Sequence, residues 1–166
     1  MTQLSLVIRP EQPSDAEAIE RLHERAFGPG RFARTAFRLR EGAPHLLDLS
    51  FTALVGTLLV GSVRLTPVLA GAGTALVLGP LTVDPAFENR GIGAALTTRA
   101  LEAARAAGHR LVLLVGDEPY YARFGFRRVP EGQLVMPGPV DPARFLACEL
   151  ADGALAEARG PVLPMR

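Results

Sequence analysis

Lysine is absent from this chain: all 18 of its positive side chains are arginine. That excludes any mechanism built on a catalytic lysine or a lysine grip on phosphate, the P-loop included. Cysteine is nearly absent too. The single one, Cys148, permits no internal disulfide, and a reducing cytoplasm is the expected setting. There is no charged-then-apolar leader and no long apolar run, so neither export nor membrane insertion is expected. Net charge is only +1, so no global field steers the protein to nucleic acid or a membrane. Internal repeats and low-complexity linkers are missing. The three histidines do not fall at metal-ligand spacing with Cys148 or with each other, so no metal is expected. No Gly-x-Ser-x-Gly elbow occurs, which leaves a hydrolase triad without its nucleophile.

What remains is a globular composition. The 166 residues are 48% hydrophobic and 21% charged, enough for one domain over residues 1–166. Its core is expected at about residues 4–150, with residues 151–166 as a weakly patterned extension that packs back or frays. Residues 4–9 read as a strand ended by Pro10. Ser14 and Glu17 have capping-box spacing, and Ile19, Leu22, Ala26 and Phe27 then recur at helical period up to Gly28-Pro29-Gly30. A second helix is expected at residues 32–41, its arginines on a solvated face. Residues 51–55 and 59–67 form a hairpin through Gly56-Thr57. Residues 75–83 form a strand interrupted by Gly79-Pro80, where a bulge is expected.

The stretch that organises the chain follows. Asp84-Pro85-Ala86-Phe87-Glu88-Asn89-Arg90-Gly91-Ile92-Gly93 leads from that strand into a helix over residues 94–107. A Gly-rich turn at a helix start presents unpaired N–H groups and partial positive charge, a place for an anion. It also reads as a plain tight turn. A third glycine is missing, which removes the dinucleotide fingerprint. Residues 111–115 are apolar throughout, as in a buried parallel strand. Pro119 then opens a short helix bearing Tyr120, Tyr121 and Phe124. Gly125 ends it, and strands are expected at residues 126–129 and 145–150.

With Tyr120-Tyr121-Ala122-Arg123-Phe124-Gly125-Phe126 in view, the sequence resembles the GNAT superfamily of N-acetyltransferases. Gly91, Gly93 and Ala94 match that family's Gln/Arg-x-x-Gly-x-Gly/Ala turn. Tyr121, Gly125 and Phe126 match its aromatic-Tyr-x-x-x-Gly-Phe motif. The likeness runs from about residue 4 to residue 150, and the Tyr-Tyr-x-Arg-Phe-Gly-Phe form resembles a branch of predicted acetyltransferases. It implies an α/β, GNAT-like acyl-CoA N-acyltransferase fold: a mixed, twisted sheet of about six to seven strands with helices on both faces. It implies acetyl-CoA as donor and an amine as acceptor, in the cytoplasm, with no nucleic acid or membrane partner; a homodimer is compatible with it. By the same resemblance the cofactor lies against Leu81, Thr82, Val83, Glu88, Asn89, Arg90, Gly91, Ile92, Gly93, Ala94, Tyr120 and Phe124. Tyr121 matches the general acid, and the Val83 N–H is placed to polarise the thioester carbonyl. Both tyrosines also read as core aromatics.

Two departures stand out. Glu88 occupies the position of the family's Gln or Arg, where a carboxylate beside pyrophosphate is unfavourable, so it is expected to point outward. The 75–83 strand also carries no carboxylate to serve as base. Asp117 and Glu118 are the nearest substitutes, though they read equally well as turn and cap residues. His45 reads as an exposed loop histidine on the acceptor side, where Glu24, Glu41 and Asp48 are the other polar handles. These departures keep a second function open, an acyl-CoA-binding sensor that transfers nothing. A weaker third reading is a structural oligomer subunit.

Overall fold

The computed structural model describes residues 5–27 and 44–165. The expected helix at residues 32–41 and the Gly28-Pro29-Gly30 stop lie outside them. The described elements are β1 (Leu6–Pro10), α1 (Ala16–Phe27), β2 (Phe51–Val55), β3 (Leu58–Ala70), β4 (Gly73–Val83), α2 (Ile92–Ala106), β5 (Leu111–Val115), α3 (Glu118–Tyr121), β6 (Arg127–Arg128), β7 (Leu134–Val135), β8 (Phe145–Glu149), α4 (Ala154–Glu157) and β9 (Gly160–Pro164).

The strands make one mixed sheet in the order β1-β2-β3-β4-β5-β8-β6, with β9 on the far end of β3 and β7 on β9. The described residues thus carry nine strands, not six to seven. The extra ones are β7 and β9, and neither shows an apolar/polar alternation that local pattern could register. The C-terminal extension does not fray. Gly71 donates its N–H to the Pro161 carbonyl at 2.8 Å, and β9 pairs with Val68–Ala70. Val162, Ala154 and Leu155 close a core cluster with Val77, Leu113 and Phe145.

The entry to α1 differs from the expected Ser14–Glu17 box. A 3-10 turn, Pro13–Asp15, precedes the helix and moves its first residue to Ala16. Asp15 caps instead: its Oδ2 accepts from the Gln12 N–H at 2.8 Å, and its two oxygens accept from Arg9 at 2.7 and 2.9 Å.

Helix α2 covers one face of the sheet. Its stripe of Ile92, Leu96, Ala100 and Ala104 packs with Ala53, Val60, Val63 and Leu65 in the main core. On α1, Ile19 and Leu22 form a separate cluster with Leu59. The expected bulge is present in β4: Val63 pairs with Leu81 and Leu65 with Leu78, so Arg64 faces both Gly79 and Pro80. The β4–β5 ladder is parallel and short, Leu76 with Val112 and Val77 with Leu113.

The Asp15 carboxyl is held below the usual carboxylate range, first by the Arg9 hydrogen bond and against the opposing effect of burial. Such a group stabilises the fold above its unfolded pKa, about 4, and the contribution is lost as pH falls through the lower folded value. Replacing Asp15→Asn is expected to cost about 1–2 kcal/mol at neutral pH. Urea midpoints measured from about pH 5 down to pH 2 are expected to fall less steeply in the variant than in the parent. Equal slopes would show that this pair carries no pH-dependent stability.

Candidate functional site

The turn between β4 and α2 is built by a capped loop and two left-handed residues. Asp84 Oδ1 accepts from the Ala86 N–H at 2.9 Å, and Arg25 holds its Oδ2 at 3.1 Å. Asn89 sits at φ 63 and Gly91, the residue before the helix, at φ 79. Left-handed positions alternating with right-handed ones aim successive N–H groups to one side, the geometry of an anion nest. Helical bonding starts only where the Ala95 N–H reaches the Gly91 carbonyl at 3.0 Å. Among the described residues, the N–H groups of Arg90 to Ala94 donate to no backbone carbonyl. Ile92 contributes its N–H here while its side chain is buried in the core. Arg90 stacks over the Phe87 ring at 5.2 Å. Glu88 is exposed and makes no ion pair among the described residues.

Beside the turn, β4 runs six residues past its last partner on β5. The Asp84 N–H bonds to Val60 O at 2.8 Å. Antiparallel bonding alternates, so Thr82 also faces β3, while Leu81 and Val83 turn their N–H and C=O groups away from it. That direction is the side of β5, where the ladder has already ended. The Thr82 side chain is buried and its Oγ1 has no hydrogen-bond partner. Of the three β4 residues expected at the cofactor, Leu81 and Val83 therefore offer free backbone to the gap and Thr82 does not.

The aromatic segment after β5 closes the gap. A Cβ on Gly93 would lie 3.1 Å from the Tyr120 hydroxyl, 3.7 Å from Val83 and 3.9 Å from Leu81. Turn, β4 edge and Tyr120 thus converge on one point, and Gly93 is small because the hydroxyl occupies the space. Tyr121 packs edge-on against Tyr120 at 4.9 Å and Phe126 at 5.8 Å, and Phe124 packs on Tyr120 at 5.6 Å. Among the described residues neither tyrosine hydroxyl makes a hydrogen bond. Burial pushes the Tyr121 phenol up to about 12, Tyr120 adds to this, and Arg144 opposes it. Tyr121 therefore keeps its proton over the whole working pH range. Arg123, not anticipated as a site residue, lies over the Tyr120 ring at 4.6 Å and donates to the Tyr120 carbonyl at 3.0 Å. Cys148 is buried, its thiol 3.6 Å from the Phe124 carbonyl.

The expected bases fare differently. Glu118 is held by Arg128 at 2.8 Å. Asp117 is exposed, and its carbonyl accepts the Tyr120 and Tyr121 N–H groups. Both stand at the start of α3, where the Asp117 carboxylate makes no cap hydrogen bond. His45 is not a free loop histidine: its Nε2 lies 2.7 Å from Oε2 of the buried Glu11, which Arg64 also holds at 3.0 and 3.2 Å. Sequence reasoning missed Glu11 and Arg64. They stand 34 and 53 residues from their partners, and no local spacing relates them. No group of three His, Cys, Asp or Glu among the described residues is placed to hold a metal ion.

Residues 16–126 match the family model described as Acetyltransferase (GNAT) family. The chain is 31% identical over 159 residues to the uncharacterized N-acetyltransferase YhbS of Escherichia coli K12, spanning 95% of each. It is 30% identical over 117 residues to the uncharacterized N-acetyltransferase YjhQ of the same organism, spanning 68% of this chain and 65% of that one. The crystal structure of Escherichia coli YhbS in complex with CoA aligns over 99% of this chain and 92% of that one, with TM-score 0.84 and 28% identity. A GNAT family acetyltransferase from Brucella melitensis in complex with acetyl-CoA aligns over 87% and 96%, with TM-score 0.65 and 30% identity.

Gly116 sets the position of Tyr121. A Cβ there would meet Cε2 of the Tyr121 ring at 2.6 Å and Cδ2 at 3.1 Å, so the ring must move. Gly116→Ala is expected to cost about 1–3 kcal/mol of stability by overpacking. Thermal melts and tyrosine fluorescence of the variant would check this, and an unchanged melt with unchanged fluorescence would show that the ring has room.

Proposed function

The chain belongs to the acetyltransferase (GNAT) family and is an acetyl-CoA-dependent N-acetyltransferase; we propose that its acceptor is an amine of a small molecule or peptide, attacked directly in a ternary complex. The observation that carries this reading is the gap beyond Val77 and Leu113, edged by the free backbone of Leu81 and Val83 and ending at the open N–H groups of the turn. A pantetheine arm has amides to pair with such an edge, and a pyrophosphate has the charge for such a turn.

In this reading the amine lone pair forms a C–N bond at the thioester carbonyl carbon, and the carbonyl π pair moves to oxygen. The Val83 N–H stabilises that oxyanion. Collapse restores the carbonyl, breaks the C–S bond and releases the CoA thiolate. Tyr121 holds its proton until sulfur develops charge, and donates it there as general acid. The amine loses two protons overall, one replacing that of Tyr121 and one leaving to a base. The pyrophosphate lies against Asn89 to Ala94, with Glu88 turned to solvent and Tyr120 and Phe124 against the pantetheine side. Arg123, fixed on Tyr120 and carrying no carboxylate partner among the described residues, supplies the nearby cation that the chain's missing lysine and Glu88 do not. We further infer membership of the branch with the Tyr-Tyr-x-Arg-Phe-Gly-Phe motif, a single-domain organisation and a cytoplasmic location.

Calorimetry with acetyl-CoA, paired with a thiol-release assay over polyamines, α-amino peptides and aromatic amines, tests the reading. Saturable acetyl-CoA binding and release of thiol with at least one amine are expected. Tyr121→Phe is expected to lower turnover by roughly 10²-fold while leaving acetyl-CoA affinity nearly intact. No acetyl-CoA binding would sink the transferase reading, and an unchanged rate would remove Tyr121 from the mechanism. Binding without turnover of any amine would favour the sensor instead, for which the missing β4 carboxylate speaks.

A further inference from the structure

Acetyl transfer to an amine needs a group that takes a proton. A lysine-type ammonium titrates near ~10.4 and an α-ammonium near ~8, so the acceptor arrives protonated at neutral pH. On β4 no side chain serves, Glu118 is held by Arg128, and Asp117 is exposed and bonds α3 through its backbone carbonyl only. Resting on the transfer reading above, we infer that the Glu11–His45–Arg64 cluster is the proton acceptor of the reaction, with His45 Nδ1 as the basic atom.

The hydrogen bonds determine which nitrogen is basic. Glu11 is only 5% exposed. Burial by itself would raise its carboxyl, but hydrogen bonds from His45 and Arg64 outweigh this and hold it below the usual range, so it is ionised. An ionised carboxylate only accepts. The His45 Nε2 lying 2.7 Å from it must therefore carry hydrogen, and in the neutral imidazole the lone pair is on Nδ1. The His45 side chain is 25% exposed, so it is open to solvent on one side. When Nδ1 takes a proton, the imidazolium stays against the Glu11 charge. Arg64, bound to both Glu11 oxygens, keeps that carboxylate in place. Among the described residues, the charged groups in contact with His45 and Glu11 are these two and Arg64.

The cluster lies at the level where β4 and β5 part, on the strand next to β4 and five residues before Val83. Arg64 sits opposite the Gly79-Pro80 bulge, and Leu65 pairs with Leu78, one residue past the end of the β4–β5 ladder. The Leu46 N–H bonds to the Leu65 carbonyl at 2.9 Å and pins His45 beside that point. Val63 and Leu65 belong to the core under α2, so Arg64 projects to the opposite face. Helix α2 closes the first face with apolar side chains, and the donor's phosphates lie at its N-terminus. We place the approach of the amine on the Arg64 face, beside α1, which packs on Leu59. Arg64 rises one strand spacing, about 4.8 Å, from β4. A chain of waters between the ammonium and Nδ1 relays the proton: an ammonium N–H bond breaks, each water passes on one proton, Nδ1–H forms, and the freed lone pair attacks carbon.

The test uses the full chain and the amine that releases thiol fastest in the panel. His45→Asn is expected to bind acetyl-CoA within about twofold of the parent by calorimetry and to lose roughly 10²-fold in kcat at neutral pH. That loss is expected to shrink as pH rises toward the amine's own pKa, because neutral amine then needs no base. Glu11→Gln is expected to give a smaller loss of the same pH form. Long-range proton–nitrogen spectra of the parent are expected to show hydrogen on His45 Nε2, a readout independent of any acceptor. The opposite tautomer, a rate in His45→Asn within twofold of the parent, or a loss constant with pH would each overturn the assignment. Failure of the parent to bind acetyl-CoA would instead overturn the transfer reading on which it rests.

Discussion

Two registered pairs, Leu76 with Val112 and Val77 with Leu113, are all that join β4 to β5, and the site depends on how early that ladder stops. A longer ladder would satisfy the backbone of Leu81 and Val83 internally and leave nothing to bind. A strand that continues without its neighbour carries polar groups that need partners. The bulge at Gly79-Pro80 sits at the point where this happens, and on its other side it meets Arg64. One irregularity in β4 therefore lies between the gap on one side and the charged cluster on the other.

The glycines near the gap have different reasons for being small. Gly91 has open space around its missing side chain, and its left-handed φ is what the turn needs. Gly93 and Gly116 make room for the two tyrosines instead. Within the Gly91–Ala94 turn only Gly93 meets the aromatic segment, at the Tyr120 hydroxyl, while Gly116 lies outside that turn. Those rings in turn bring Tyr120 to the turn and hold Tyr121 in an environment that keeps it protonated. The Gly-rich turn and the aromatic segment, separated by a helix and a strand, are thus one packing unit.

Much of this was legible in the sequence. The hairpin, the bulge, β5 and the Gly-rich helix start follow from local period and from Gly and Pro chemistry, and the structure has them within a few residues of the expected bounds. The α1 entry was misassigned because Ser14 and Asp15 are both competent caps, and Asp15 alone is held by Arg9, six residues earlier, and by the Gln12 N–H. The strands β7 and β9 were missed because they are held by pairing with distant partners, with no alternation of their own to mark them.

The sequence by itself determined which chemistries were closed and where an anion site was to be expected. Without lysine, a third turn glycine, a nucleophile elbow or paired cysteines, most alternatives had no residues to work with. Tyr121 and the Gly91–Ala94 turn could be named as candidates because each belongs to a motif of short spacing. Tertiary structure alone decided what His45 is. As a residue in sequence it is a lone polar side chain before a hairpin. In the fold it meets a carboxylate 34 residues away, itself held by an arginine 53 residues from that carboxylate. Buried charges are tolerable only when they are paired, and pairing of this kind is a property of the sheet, not of any stretch of chain.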